Sequence, residues 1–163
     1  MKKLLFVLCL IPVFLFCGCT DKHAEKIAAQ INENTTLELG FLQDVSGTDL
    51  SSLVLEASWR GAVGYYNSGY EEGDMHYVFY LVTSYPDYAN GGSFVSRITC
   101  TDPTVTFFGG YTVNDSKELI EYLSGEGFKI RGEYPDTMVQ AKKGNIIISF
   151  VHETEYNVIT FLL

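Results

Sequence analysis

The connections are what constrain this chain most. From residue 62 onward, short apolar runs alternate with breaks of only a few turn-forming residues. The runs cover 62–67, 76–85, 94–100 and 104–108, then 128–131, 138–142, 146–152 and 156–163. The breaks carry Asn67-Ser68-Gly69, Glu71-Glu72-Gly73-Asp74, the Pro86 to Gly92 stretch, Thr101-Asp102-Pro103 and Lys143-Gly144-Asn145. A parallel crossover needs a dozen or more residues, so links this short favour antiparallel meanders.

Two helices are predicted beside these strands. Leu50, Leu53, Val54 and Ala57 recur at spacings of three, four and seven, after Ser46-Gly47-Thr48-Asp49 as candidate caps. Asp115-Ser116-Lys117-Glu118 reads as a capping box ahead of Leu119, Ile120, Tyr122 and Leu123, with Gly125 or Gly127 to end the helix. Each half then reads as one helix followed by four strands. That is an α+β class, a helix and then an antiparallel β-meander, with each helix covering one sheet face. The layout admits two halves, 36–108 and 109–163, although no residue-level repeat links them.

The N-terminus reads as an export signal. Met1-Lys2-Lys3 is a short positive start, and residues 4–16 form an uncharged apolar run. The run is shorter than the roughly 20 apolar residues that span a bilayer. Gly18-Cys19 resembles a bacterial lipobox, in which a small residue precedes the cysteine that receives the lipid. Cys19 is favoured over Cys17, because bulky Phe16 stands directly before Cys17. The expected organisation is a lipoprotein signal peptide at 1–18, a polar spacer at 19–35 after lipidated Cys19, and a single domain at 36–163. Within the spacer, residues 24–31 could form a turn or two of helix.

Composition narrows the function classes. The chain has 11 basic and 20 acidic residues. Loss of Lys2 and Lys3 with the signal would leave 9 − 20 = −11, and such a chain repels nucleic-acid phosphates. Cys9 and Cys17 would leave with the signal as well, and lipid would occupy Cys19. Cys100 would then be alone, with no disulfide or cysteine-based zinc site to join. Its place in the alternation Phe94, Ser96, Ile98, Cys100 predicts a buried, inert thiol.

The densest ligand-type cluster is Glu71, Glu72, Asp74 and His76. It could hold a hard cation, or serve as an acidic hairpin tip in water. Asp44 and Asp49 are weaker versions of the same reading. No Gly-x-Ser-x-Gly and no helical histidine pair occurs, and no cofactor is implied.

Tyrosine is the more informative residue. Tyr65, Tyr66, Tyr70, Tyr77, Tyr80, Tyr85 and Tyr88 fall within 24 residues, just after Trp59. Tyrosine offers rigid contact area with a polar tip and is enriched at interfaces. It is also simply a good strand former. Over 76–85 both faces are substantially apolar. That strand is therefore either covered twice or has one face awaiting a partner. Trp59, Tyr65, Tyr66, Tyr70, Tyr85 and Tyr88 are the candidate binding residues.

Phe108-Gly109-Gly110-Tyr111-Thr112-Val113-Asn114-Asp115-Ser116, the Leu119 to Leu123 helix, Gly127-Phe128 and the following meander resemble a known repeat. It is the helix-plus-sheet repeat of lipoproteins with the β-lactamase-inhibitor-protein-like fold, which the SmpA/OmlA-type assembly lipoproteins share. Tyr85-Pro86-Asp87 is similar to a stretch in uncharacterised Gram-positive lipoproteins. Where the family has Leu-Gly-x-Pro after the helix, this chain has Leu123-Ser124-Gly125-Glu126-Gly127. The resemblance implies a tandem-repeat fold that binds proteins and carries no catalytic residues. The expectation is a membrane-anchored, extracytoplasmic module that binds a protein or envelope polymer without catalysis. An envelope-acting hydrolase and a purely structural lipoprotein are the alternatives.

Overall fold

The computed structural model describes residues 22–59, 62–67, 76–84, 93–135, 137–153 and 155–163, with 57–59 and 84 as backbone only. Two ten-residue helices, α1 (Lys22–Ile31) and α2 (Ser116–Gly125), accompany eight strands. The strands are β1 (Leu53–Trp59), β2 (Ala62–Asn67), β3 (Val78–Ser84), β4 (Ser93–Cys100), β5 (Lys129–Arg131), β6 (Met138–Lys143), β7 (Ile146–His152) and β8 (Asn157–Leu162). They form one antiparallel sheet in the order β1-β2-β3-β4-β8-β7-β6-β5. The class is α+β and mostly meander, as the short links require. Each set of four strands follows a helix, and the two sets meet where β4 pairs with β8.

The expected first helix is a strand. Leu50, Leu53, Val54 and Ala57 have helical spacing, but β2 pairs with this segment from Leu53↔Asn67 to Trp59↔Ala62. Only Leu53 among the side chains of 53–56 is buried, and Leu55 is 59% exposed. Cross-strand pairing overrides the weak helical preference of so short a run. Residues 104–108 do not form a strand either; only Phe107 bridges to Tyr111.

The helix of the first half is instead α1, inside the stretch expected to be a polar spacer. Ala24, Ile27, Ala28 and Ile31 are all buried in the core of the sheet. Their spacing of three, four and seven puts them on one helical face. Burying each isoleucine contributes about 1.5–3 kcal/mol. Among the described residues, the folded unit therefore includes Lys22–Ile31, ahead of residue 36.

The N-terminal cap of α2 lies one turn earlier than expected. A single 3₁₀ turn, Val113–Asp115, precedes the helix. Thr112 Oγ1 accepts from Asn114 N at 3.2 Å, and Asp115 Oδ2 accepts from Thr112 N at 2.8 Å. Thr112 and Asp115 therefore form the capping box, and Asp115 makes no cap bond to α2 itself. At the other end Gly127 has φ +83°. Phe128 N donates to Leu123 O at 3.0 Å and Gly127 N to Ser124 O at 3.1 Å, a Schellman closure that needs the left-handed glycine.

The core lies on one side of the sheet. Alternate residues of each strand point there: Val78, Tyr80 and Val82 on β3, Ile146, Ile148 and Phe150 on β7, Ile159 and Phe161 on β8. The helices, Leu37 to Val45 and Val105 to Phe108 cover them. Phe161 is at the centre, with ring centroids 6.2 Å from Phe41, 5.2 Å from Phe107 and 6.2 Å from Phe108. Cys100 is fully buried and has no disulfide partner. Burial pushes its thiol up to about 12.

Candidate binding surface

The opposite face of the sheet has no helix or loop over it among the described residues. Register aligns its side chains in two rows across all eight strands. One row runs Val54, Tyr66, Phe79, Thr99, Thr160, Ser149, Gln140, Arg131. The next runs Ala57, Gly64, Leu81, Arg97, Leu162, Ile147, Lys142, Lys129 by backbone position. Seven strand spacings of about 4.8 Å make the face roughly 34 Å wide, and strands of this length make it roughly 20 Å tall. That is on the order of 700 Å², close to the ~800 Å² each partner contributes to a standard interface.

The chemistry changes along the rows. At the β1–β4 end, Glu56, Tyr66, Tyr77, Phe79, Leu81, Arg97 and Thr99 line a depression of about 290 Å³. Gly64 allows this shape. A Cβ there would lie 2.8 Å from the Phe79 ring, so only glycine lets the ring lie against the sheet. Hydroxyls hold the middle. Thr99 Oγ1 and Thr160 Oγ1 are 3.2 Å apart across the β4–β8 seam, and Gln140 Nε2 donates to Ser149 Oγ at 3.3 Å. At the β5–β6 end, a depression of about 490 Å³ is lined by Lys129, Arg131, Gln140, Lys142 and Ile147 on the strands, with Gly127, Lys143 and Gly144 at its rim. Lys143 is occupied there, donating to Glu126 O at 2.6 Å with its ammonium over the Phe128 ring.

The structure divides the tyrosines between the two faces. Tyr66 and Tyr77 are half-buried on the open face. Tyr65 is not there: its neighbour Tyr66 takes that face, and Tyr65 points to the core side opposite Tyr80. Tyr80 is core, with its hydroxyl accepting from Glu38 N at 3.2 Å and its ionisation pushed by burial to about 12. Among the described residues, the Tyr77, Phe79 and Leu81 face of β3 is not covered. Cys19, Tyr70, Glu71, Glu72, Asp74, Tyr85 and Tyr88 lie outside the described residues, as does the side chain of Trp59.

The remaining candidates belong to turns and ends. His76 is exposed and borders a separate depression of about 300 Å³ with Thr101, Asn114, Glu153, Glu155 and Tyr156. Among the described residues no group of three or more His, Cys, Asp or Glu is arranged to hold a metal ion. Asp44 and Asp49 accept from Ser46 N at 2.8 Å and Ser51 N at 2.9 Å, and these hydrogen bonds hold both carboxyls below the usual range. They shape turns. His152 Nδ1 is 2.7 Å from Asn157 Oδ1, with the Tyr134 ring edge-on at 4.6 Å, so it braces the β7–β8 turn.

Sequence reading missed the basic cluster at the β5–β6 end. Lys129 and Lys142 are 13 residues apart, and only the antiparallel register places them opposite one another. The net acidic composition hid this local excess. The chain matches no protein-family model, no curated protein and no solved structure.

Proposed function

We propose that this chain is a membrane-anchored, extracytoplasmic lipoprotein that binds another protein through the open face of its sheet, without catalysis. One observation carries the binding reading. A sheet whose core side is closed by helices and loops displays Tyr66, Tyr77, Phe79 and Leu81 on its other side. Aromatic and aliphatic side chains half-buried in a shallow, wide surface suit a protein partner better than a small substrate.

The anchor rests on Lys2-Lys3, the apolar run at 4–16 and Gly18-Cys19. No described helix is long and apolar enough to cross a membrane. The helix-and-four-strands order, present twice and joined at β4–β8, fits the tandem-repeat layout that the family resemblance implies.

A photo-crosslinking residue tests the surface. Placed at Tyr66 or Gln140 on the open face, it should capture a discrete partner protein in the producing cell. Placed at Lys117 or Glu121 on the exposed side of α2, it should not. Capture only from α2 would overturn the reading. For the anchor, Cys19→Ala should release the chain from membranes, and continued membrane retention would refute lipidation there.

A further inference from the structure

The geometry points to one kind of occupant for the open face: an acidic, amphipathic protein segment. Its carboxylates sit over Lys129, Arg131 and Lys142, and its apolar side chains over Ile147, Leu162, Leu81 and Phe79. This rests on the protein-binding reading above and adds the partner's chemistry and orientation.

The chain is acidic, yet the two depressions of its open face are lined by Arg97, Lys129, Arg131, Lys142 and Lys143 and by one carboxylate, Glu56. Glu56 lies at the far end, in the depression it shares with Tyr66 and Phe79. Lys129 and Lys142 are direct cross-strand partners, and Arg131 follows on the same face opposite Gln140. Like charges directly opposite one another destabilise a sheet. The depression that these three line contains no carboxylate. A bound anion would relieve that repulsion.

Edge protection does not account for the cluster. Cations on an edge strand discourage unwanted strand pairing, and Lys129 and Arg131 on β5 could serve that purpose. Lys142 could not, because β6 is paired on both sides.

The open face also mixes apolar and charged side chains along each row. From Lys129 and Lys142 the row continues through Ile147 and Leu162 to Arg97 and Leu81, with Phe79 beside it. Leu162 is 37% exposed, and Met138, next along β6, is 54% exposed. A glycerol-phosphate polymer has anions for the lysines but nothing apolar for these residues. A polypeptide with acidic side chains at one end and apolar side chains along the rest meets both. The aromatic end and the cationic end also differ, so the partner binds in one direction. The acidic remainder of the domain repels such a partner everywhere else.

The test uses the full chain and defined probes. A labelled peptide with glutamates at one end and leucines spaced by serines along the rest is titrated by fluorescence anisotropy. The comparators are the same peptide with serine for leucine, a glycerol-phosphate oligomer of equal charge, and phosphatidylglycerol vesicles. The glutamate–leucine peptide should bind roughly tenfold or more tighter than each comparator. Its affinity should fall by roughly tenfold or more in K129Q/R131Q/K142Q, and by less in K142Q alone. The urea midpoints of both variants are measured alongside to confirm the fold. Equal binding by the variants, or tighter binding by the phosphate oligomer or the vesicles, overturns the inference. Crosslinking from Tyr66 that persists in the triple variant overturns the charge assignment and leaves the protein-binding face standing. Loss of all open-face crosslinking in the unaltered chain removes both.

Discussion

Phe161→Ala is the sharpest probe of how this domain holds together. Phe161 is fully buried on β8, the strand through which the second meander joins the first. Its ring meets Phe41, Phe107 and Phe108 at 5.2–6.2 Å, so one side chain ties two covering segments to the middle of the sheet. Truncating a buried phenylalanine to alanine costs about 3–5 kcal/mol. Loss of three aromatic contacts, each about 0.5–1.5 kcal/mol, places this site at the upper end. The expected loss is about 5 kcal/mol, or roughly 15 °C in Tm for a domain of this size. Equilibrium urea unfolding should be followed by far-ultraviolet circular dichroism and by fluorescence of Trp59, the single tryptophan, on β1. Because the eight strands form one sheet, both probes should lose the same free energy. A loss below about 2 kcal/mol would refute the central role of Phe161. A shifted dichroism transition with an unmoved Trp59 transition would refute the single cooperative unit.

Alkaline stability follows from the buried thiol and phenol. Cys100 and Tyr80 are each pushed up to about 12 when folded, from ordinary values of 9 and 10. The unfolded chain releases these protons first, so stability should be intact below about pH 9 and decline up to pH 12. Cys100→Ala should flatten the start of that decline in pH-dependent urea midpoints, and an unchanged profile would contradict it. Lys142→Glu should raise stability by about 0.5–1 kcal/mol, by replacing a like-charge pair with an opposite one; a lower urea midpoint would contradict the pairing with Lys129. Gly132→Ala should cost about 2 kcal/mol or more. Gly132 has φ +85°, and its new Cβ would lie 2.7 Å from Met138 O, so a neutral outcome in thermal melts would count against the β5–β6 geometry.

The strands were legible where alternation and turn chemistry agree. Residues 146–152 alternate Ile146, Ile148 and Phe150 into the core, and Gly144 at φ +60° closes the hairpin before them. The Leu53 segment misled because four apolar residues at helical spacing cannot report that β2 lies beside them. The α1 segment was legible as a turn or two of helix but not as core, since its charged residues drew attention from Ile27 and Ile31. At the site, tyrosine density drew attention to β2 and β3, two strands of the open face. The sequence alone could not separate Tyr66 from Tyr65 and Tyr80, because the division depends on which face the helices cover. The cationic end was invisible for the same reason: register, not proximity in sequence, assembles it.

The early start of α1 has a consequence for reach. Lys22 is the third residue after Cys19. Three extended residues span at most about 11 Å. With lipid on Cys19, as proposed, three residues would join the lipid to α1 and would hold the domain close to the headgroups. It cannot sample the space beyond about one domain diameter, on the order of 40 Å, from the bilayer. Its recruitment zone is therefore a thin layer, and a partner has to enter that layer, or reside in it, to be met.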